Sequence, residues 1–284
     1  MRNSFAEGFL DRADIDHFHI EALRVLESTR IKETDFVDRY GQTAIDRDLA
    51  TVARDKKHHK ESEGAEDKKE SKKISDIFEA VVVEQGELSE WFGGNAFTMK
   101  TSEYDDFENG VDMVIEFRED DPAETSHLGL ATDVTFRTDS TSKFNHIKGL
   151  IDKGRMATVK YFDGDEHQFP EVIVGADAKT ILELAELRAG RKNNKVLGEH
   201  RIQIMVLLQM KDQLETFAMY AESIGKVDIA RVYRERLELV SGILATKSDL
   251  FKKVAHELDD DPVHFNIMTA SARIRASLQQ GIAA

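Results

Sequence analysis

Cysteine is absent from this chain of 284 residues, which also has only three prolines, one tryptophan and no long apolar run. Without cysteine, a disulfide scaffold, a thiolate zinc site and a cysteine nucleophile are all excluded. The longest purely apolar runs are residues 80–83 and 204–208, far short of the roughly 20 residues that a membrane helix needs. No apolar stretch follows the first residues, so we expect no signal peptide. The sequence therefore predicts a cytoplasmic protein without a membrane segment.

Positive charge is also scarce, because 39 Lys and Arg stand against 54 Asp and Glu, for a net charge of −15. Residues 75–190 hold 25 acidic and 10 basic residues, so their excess of 15 acids equals the net charge. Within 103–124, ten acids accompany the single Arg118. Such a segment repels phosphate backbones or holds cations. The composition thus lacks the basic surface that is typical of nucleic-acid binding.

Composition and periodicity divide the chain into four parts. Residues 1–53 have the apolar spacing of a helical segment. Residues 54–73 are almost entirely charged, which predicts a flexible linker or at most an exposed charged helix. Residues 74–190 mix helix and strand patterns. Residues 191–284 form a helical domain whose long apolar stripes are suited to homo-oligomerisation or to a protein partner.

The third part predicts an α/β fold, within a chain that is α+β overall, in the order α-β-β-β-α-β-β-α. A helix between the third and fourth strands indicates a crossover, and hence a mixed sheet that is covered by helices. Ser75 is the expected N-cap of the first helix. The predicted helices are 75–92, 142–153 and 178–189, and the predicted strands are 96–100, 111–117, 128–136, 157–162 and 171–174.

Three carboxylates occupy positions that should face apolar surroundings. On an ideal helical wheel, Glu84 falls within the stripe formed by Ile77, Val81 and Leu88. Such an acid needs a cation, a metal or a hydrogen-bond network, and an ordinary salt bridge to Arg or Lys is one way to meet that need. Asp112 and Asp133 lie in otherwise apolar strands.

If these three carboxylates lie close together, they suit Mg²⁺ or Mn²⁺, which prefer hard oxygen ligands. The sequence therefore predicts a divalent metal site formed by Asp112, Asp133 and Glu84.

Gly110-Val111-Asp112 enters the second strand and Asp133-Val134-Thr135 lies in the third. Together with the helix–three strands–helix–strand order, this pattern resembles the PD-(D/E)XK nuclease-like superfamily over residues 74–189, under half of the chain. The resemblance implies a restriction-endonuclease-like fold, with Glu84 in the place of the helix acid that many members carry. It also implies that the Val134 carbonyl is a further metal ligand.

The lysine that this superfamily carries two residues after the second acid is replaced here by Thr135. Some relatives recruit a lysine from elsewhere, and Lys160 and Lys148 are the candidates. We prefer Lys160, because its strand is expected to neighbour the strand of Asp133. The simpler interpretation is that both are surface lysines whose stems cover apolar side chains.

The resemblance implies metal-assisted hydrolysis of phosphodiesters. Asp112, Asp133 and Glu84 would hold Mg²⁺ or Mn²⁺, and Lys160 or Lys148 would orient the attacking water. Asp133 would thus be both ligand and catalytic residue. The nucleic acid, whether DNA or RNA, is left open. The alternative is a catalytically degenerate module that binds a protein or nucleic-acid partner without cleaving it, and that associates through its helical C-terminus.

Overall fold

The computed structural model describes residues 12–62, 66–118, 126–133, 141–190 and 194–281. This part of the chain is mixed α/β, with a four-stranded mixed sheet, a separate two-stranded sheet and surrounding helices. None of its helices is both long enough and apolar enough to cross a membrane.

Helices precede and follow the strands. They are α1 (Arg12–Thr29), α2 (Val37–Tyr40), α3 (Gln42–Ser62), α4 (Glu66–Leu88), α5 (Thr141–Asp152), α6 (Ala178–Ala189), α7 (Asn194–Gly198), α8 (Arg201–Ser223), α9 (Val227–Thr246), α10 (Ser248–Val254) and α11 (Pro262–Gln279). Short 3₁₀ helices cover Glu33–Phe36 and Ala255–Asp260, and a π-helix covers Asp105–Asn109.

The charged segment 54–73 is helical at 54–62 and at 66–73, where it forms the end of α3 and the start of α4. These stretches are therefore helical, as in the second of the two alternatives that the sequence analysis gave, a charged helix. The prediction that Ser75 begins the following helix is wrong, because α4 already begins at Glu66. The helix also ends at Leu88, four residues before the predicted end at 92.

Six strands make up the two sheets: β1 (Ala96–Lys100), β2 (Met113–Phe117), β3 (Ser126–Asp133), β4 (Ala157–Phe162), β5 (Asp165–Phe169) and β6 (Glu171–Gly175). The larger sheet has the order β1-β2-β3-β6. Its first three strands are antiparallel neighbours, whereas β6 runs parallel to β3, with Glu171 opposite Gly129. The chain therefore crosses over between β3 and β6, and α5 lies in that connection.

The prediction that the 157–162 strand neighbours the strand of Asp133 is wrong. β4 instead pairs with β5 in a hairpin of its own. The two turn residues, Asp163 and Gly164, have φ of 43° and 80°, as the favoured two-residue hairpin turns require. The sequence analysis missed β5 because its residues, Asp-Glu-His-Gln-Phe, lack apolar alternation. The position beside β3 is taken by β6.

Helix α4 is buried on nearly every side from Asp76 to Val83, because β1 lies against one face while α1 and α6 cover others. Ile77, Phe78, Val81 and Val82 are all at most 2% exposed. Fully apolar surroundings make any polar group on this helix costly unless it is paired. The polar residues of α4 that face inward are therefore the ones to examine for a site.

The C-terminal helices share one apolar core with the sheet. α8 packs against β6, the edge strand of the larger sheet. The Gln213 side chain accepts a hydrogen bond from Ile173 N (2.8 Å) and donates one to Ile173 O (2.6 Å), and Gln209 does the same at Gly175 (2.9 and 2.8 Å). These two side-chain amides take the place of a neighbouring strand, because they satisfy backbone N–H and C=O groups of Ile173 and Gly175 at the edge of the sheet.

Candidate functional site

The ammonium group of Lys100, at the end of β1, is surrounded by carboxylates. Its Nζ lies 2.7 Å from Glu79 Oε2, 3.0 Å from Asp106 Oδ2 and 3.9 Å from Asp112 Oδ1. The Lys100 side chain is only 2% exposed. A buried cation among several acids is the type of arrangement that marks functional sites more often than ordinary surfaces.

Each of these acids comes from a different local structure. Glu79 lies on the buried part of α4, which crosses β1. Asp106 belongs to the π-helix between β1 and β2, an element that is frequent at functional sites. This π-helix ends at Gly110, whose φ of 73° is the left-handed conformation that favours glycine. The chain then reaches Asp112, directly before β2.

The π-helix is held in place through the fully buried carboxylate of Asp105. It accepts hydrogen bonds from Ser102 Oγ (2.7 Å), Asn109 Nδ2 (2.7 Å) and the backbone N–H groups of Lys160 (2.7 Å) and Tyr161 (3.0 Å). The last two bonds tie the β4–β5 hairpin to the segment that carries Asp106. Asp105 thus positions the acids around Lys100 without touching Lys100 itself.

A further acid, Glu171, begins β6 and is only 3% exposed. Its Oε2 atom is buried and has no hydrogen-bond partner in the described part of the chain. Burial, together with the negative charge of Asp112, raises the pKa of Glu171 to about 8. A carboxyl group that is both buried and unsatisfied is energetically unfavourable in the absence of a ligand or a proton.

The charges of the site are strongly coupled. Burial raises the pKa of Glu79 to about 7, although Lys100 acts in the opposite direction. Burial also raises the pKa of Asp106, again against the effect of Lys100. Burial disfavours the charged form of Lys100, but Glu79, Asp106 and Asp112 outweigh this effect, so its pKa is higher than usual. The surrounding acids therefore favour the charged form of Lys100.

These residues line one cleft of about 870 Å³. Glu79, Lys100, Asp106, Asp112 and Glu171 all contribute to its wall. Basic and aromatic side chains also line it, among them Arg30, Lys56, Lys72, Lys143, His146 and Phe107. The volume lies within the range of small-molecule and cofactor sites. The cleft has room for a small charged ligand.

Glu84, the predicted helix ligand, lies outside this cleft. Its carboxylate accepts hydrogen bonds from Nε and Nη2 of Arg188 on α6, and it lines a separate groove of about 480 Å³. Glu84 thus forms a salt bridge to an arginine, which the sequence analysis gave as the alternative to a metal site. Asp76 and Glu79 are the α4 acids that line the cleft, and Glu79 lies five residues before Glu84, on a different face of the helix.

The two candidate lysines are engaged elsewhere. Lys160 forms a salt bridge with Asp48, and its Nζ lies 5.0–5.2 Å from the ring centroids of Tyr40, Tyr104 and Tyr161. Lys148 lies 4.7 Å from the ring centroid of Tyr220. Neither lysine lines the cleft, whereas Lys100 does. The expectation that Lys160 lies beside the strand of Asp133 fails with the strand order on which it was based.

Of the remaining predicted ligands, Asp112 is in the cleft. The backbone of Asp133 ends β3, opposite Gly175, but its side chain lies outside the described residues. Val134 and Thr135 also lie outside the described residues. Among the side chains that are described, no three acids or histidines are arranged as a ready-made metal site.

Sequence reasoning missed Glu79, Lys100 and Glu171. A signal existed for two of them, because Lys100 and Glu171 are charged residues at the ends of strands that are otherwise apolar. Glu79 was hidden because the helical wheel was centred on the wrong stripe: residues 76–83 of α4 are all buried, so no single stripe distinguishes its inner face.

This chain matches no protein-family model, no curated protein and no solved structure. The chemistry of the cleft is therefore the basis on which a function can be assigned.

Proposed function

We propose that this protein is a divalent-metal-dependent nuclease, or a closely related phosphodiester-processing enzyme, with a restriction-endonuclease-like core. The observation that supports this function best is the cleft in which Lys100 meets acids from α4, the π-helix and the start of β2. Carboxylates can hold a metal ion and a neighbouring lysine can offset developing negative charge, so this combination suits metal-dependent phosphodiester hydrolysis.

The order of the elements supports the proposed core. α4, β1, β2, β3, α5 and β6 follow the helix–three strands–helix–strand order, with the β4–β5 hairpin inserted before the last strand. Asp112 stands at the start of β2, where the resemblance puts the first acid. The restriction-endonuclease-like assignment itself is part of the proposal.

The donor atoms in the cleft fit a hard divalent cation. Asp112 supplies carboxylate oxygens, and the buried Oε2 of Glu171 has no hydrogen-bond partner within the described residues. Mg²⁺ is commonly held by one or two carboxylates and keeps several water ligands, so a cage of three protein ligands is not required. When bound there, such an ion would polarise a phosphoryl oxygen and lower the pKa of a bound water.

Lys100 takes the role that the missing superfamily lysine leaves open. Its positive charge stands at the wall of the cleft, where it would attract a phosphate group and offset negative charge that develops during the reaction. Arg30 and Lys143 line the same cleft and would bind the adjoining phosphates. The confined, largely acidic cleft favours a nucleic-acid end or a short strand over a long duplex.

A cleavage assay tests the proposal directly. End-labelled single-stranded and duplex DNA and RNA would be incubated with the full chain and Mg²⁺ or Mn²⁺. We expect metal-dependent cleavage that Asp112→Asn, Asp133→Asn and Lys100→Met each reduce by at least 100-fold. Glu84→Gln, on the same helix but outside the cleft, is the control and should cleave like the wild type. Cleavage that persists in Asp112→Asn would refute the assignment of the site.

A non-cleaving binding module is the second candidate, and one observation favours it. The Lys100 ammonium already has three carboxylate neighbours, so it can neutralise them as a purely structural cation. Exposed apolar side chains on the C-terminal helices, Val227 (68%) and Phe265 (57%), are suited to association with a protein partner or a second copy. Binding of labelled oligonucleotides without any cleavage would favour this candidate. The absence of both binding and cleavage would favour it as well.

A further inference from the structure

Glu171 is a buried acidic residue of the cleft, and its carboxyl group lacks a hydrogen-bond partner at Oε2 within the described residues. Glu171 is only 3% exposed, yet it lines the cleft. Desolvating a carboxyl group without a partner costs several kcal/mol in apolar surroundings. Proteins retain such a group where a cation or a substrate completes its environment.

The neighbours of Glu171 indicate what kind of ligand this is. Asp112 and Glu171 line the same cleft. Burial and the negative charge of Asp112 raise the pKa of Glu171, while Lys143 acts in the opposite direction. Lys100 is held by Glu79 and Asp106 at 2.7 and 3.0 Å, and lies farthest, at 3.9 Å, from Asp112. A divalent cation bound between two acids of the same cleft would offset the negative charge of both.

The backbone brings these two acids to the same cleft across β3. Glu171 lies opposite Gly129 in the parallel pair β3–β6, and Gly129 lies opposite Val114 in the antiparallel pair β2–β3. A Cβ atom on Gly129 would come within 3.3 Å of Val111 Cγ1 and 3.5 Å of the Pro170 carbonyl oxygen. A side chain at this position would therefore crowd both of the segments that lead to Asp112 and Glu171, which flank β3.

We propose that Glu171 and Asp112 together bind one divalent cation, Mg²⁺ or Mn²⁺, and that Glu171 is the ligand that the sequence motifs assigned to Glu84. The inference rests on the proposed function in that it places the metal of that reaction. It adds a specific pair of ligands, from the start of β6 and the start of β2. Both supply hard oxygen donors, and water would fill the remaining positions around the ion.

Mn²⁺ binding to the full-length chain tests this inference without a substrate. Isothermal titration calorimetry and electron paramagnetic resonance of Mn²⁺ would be measured for the wild type, Glu171→Gln, Asp112→Asn and Glu84→Gln. We expect Glu171→Gln and Asp112→Asn each to weaken Mn²⁺ binding at least 10-fold, and Glu84→Gln to bind like the wild type. Mg²⁺ should compete with Mn²⁺ for the same site.

Two outcomes overturn the inference: wild-type affinity in Glu171→Gln, or no binding of either ion by the wild type at millimolar concentration. If Glu171→Gln does not fold, Glu171→Asp, which shortens the side chain by one methylene, must still weaken binding several-fold. Cleavage measured on the same samples separates the two proposals. Metal binding that depends on Glu171, without cleavage, would refute only the enzymatic function, whereas metal-dependent cleavage that is unchanged in Glu171→Gln would refute only the ligand assignment.

Discussion

Lys100 Nζ lies 2.7 Å from Glu79 Oε2 at a place that solvent hardly reaches, since the two side chains are 2% and 8% exposed. The pair joins β1 to α4 through the core rather than across the surface. Forming a buried ion pair stabilises a protein little, because both groups lose their hydration. Removing one partner alone is costly, because it leaves the other charge buried and uncompensated.

Replacement of Lys100 by methionine should therefore destabilise the protein by about 3–5 kcal/mol, the usual cost of breaking a buried pair. Urea denaturation at pH 7 would measure this change. Lys252, whose side chain is 74% exposed, provides the control, and Lys252→Met should change the free energy of unfolding by less than about 0.5 kcal/mol. The double variant Lys100→Met/Glu79→Gln should recover part of the loss. A Lys100→Met variant as stable as the wild type would show that the pair is unimportant for folding.

Glu84 and Arg188 form a half-buried pair, 24% and 18% exposed, at the groove between α4 and α6. We expect Glu84→Gln to lower the free energy of unfolding by only about 1 kcal/mol, because water reaches this pair and the amide can still accept a hydrogen bond from Arg188. Asp112→Asn should weaken Mn²⁺ binding at least 10-fold at a similarly small cost in stability. Comparing thermal unfolding of both variants with and without Mn²⁺ would check this contrast, and a loss of the Mn²⁺ effect in Glu84→Gln would contradict it.

The pKa of Glu171 predicts a specific pH dependence of stability in the absence of metal. The folded-state pKa, about 8, is above the ordinary value of 4.5, so the folded protein holds a proton that the unfolded chain releases. This contribution to stability is complete below pH 4.5 and is lost as the pH rises through about 8. Glu79, with a pKa of about 7, acts in the same direction.

The Glu171→Gln variant has no carboxyl group at this position and therefore no proton to release as the pH rises. Between pH 5.5 and 8, the free energy of unfolding of Glu171→Gln should therefore increase by about 3 kcal/mol relative to that of the wild type. The reason is that the wild type loses about 1.36 kcal/mol per pH unit in this range. Chemical denaturation at several pH values in the presence of a chelator would measure this difference. Glu166→Gln, at an exposed position on the β4–β5 hairpin, should show no such trend. Parallel pH profiles for Glu171→Gln and the wild type would mean that Glu171 is not buried as a neutral acid.

Much of the sheet could be predicted from sequence because its strands are short apolar runs between polar residues. The predicted strands 96–100, 111–117, 157–162 and 171–174 match β1, β2, β4 and β6 to within two residues, and the described part of the predicted strand 128–136 lies in β3. The predicted helices 142–153 and 178–189 match α5 and α6 to within one residue. The pairing of the strands could not be predicted, because nothing local distinguishes a strand that joins the main sheet from one that turns back at Asp163-Gly164. Strand order depends on packing between distant segments.

The candidate site was predicted in part for the same reason. Asp112 was found because an acid at the start of an apolar strand is locally unusual. The buried positions of Glu79 and Lys100 are explained only by the ion pair between them. The two residues are 21 positions apart in the sequence and meet through the packing of α4 on β1. Glu84 was chosen because it falls within the apolar stripe of the helical wheel, whereas its arginine partner, Arg188, lies 104 residues away in the sequence. Partners at such separations cannot be inferred from a helical wheel.

Lys160, the lysine preferred from sequence, is expected to stabilise the fold. Its ammonium group is bound by Asp48 and enclosed by three tyrosine rings, so Lys160→Met should cost about 2–3 kcal/mol. Asp48 keeps its hydrogen bond from Tyr161 (2.6 Å), which limits the loss. Below its unfolding temperature, Lys160→Met should retain any metal-dependent cleavage. A folded Lys160→Met variant without activity would instead restore the catalytic role that the sequence analysis gave to this residue.

Asp105 should control the shape of the cleft although it does not line it. Its buried carboxylate accepts bonds from Ser102, Asn109 and two backbone N–H groups of β4, and these bonds fix the π-helix that carries Asp106. Asp105→Asn replaces one acceptor oxygen by a donor and leaves buried N–H groups unsatisfied, so we expect a loss of about 2–4 kcal/mol. Hydrogen exchange should become faster at Lys160, Tyr161 and the π-helix and stay unchanged in α8. Uniform acceleration would indicate global destabilisation instead. Mn²⁺ affinity should fall only a few-fold, because Asp112 and Glu171 both lie outside the π-helix.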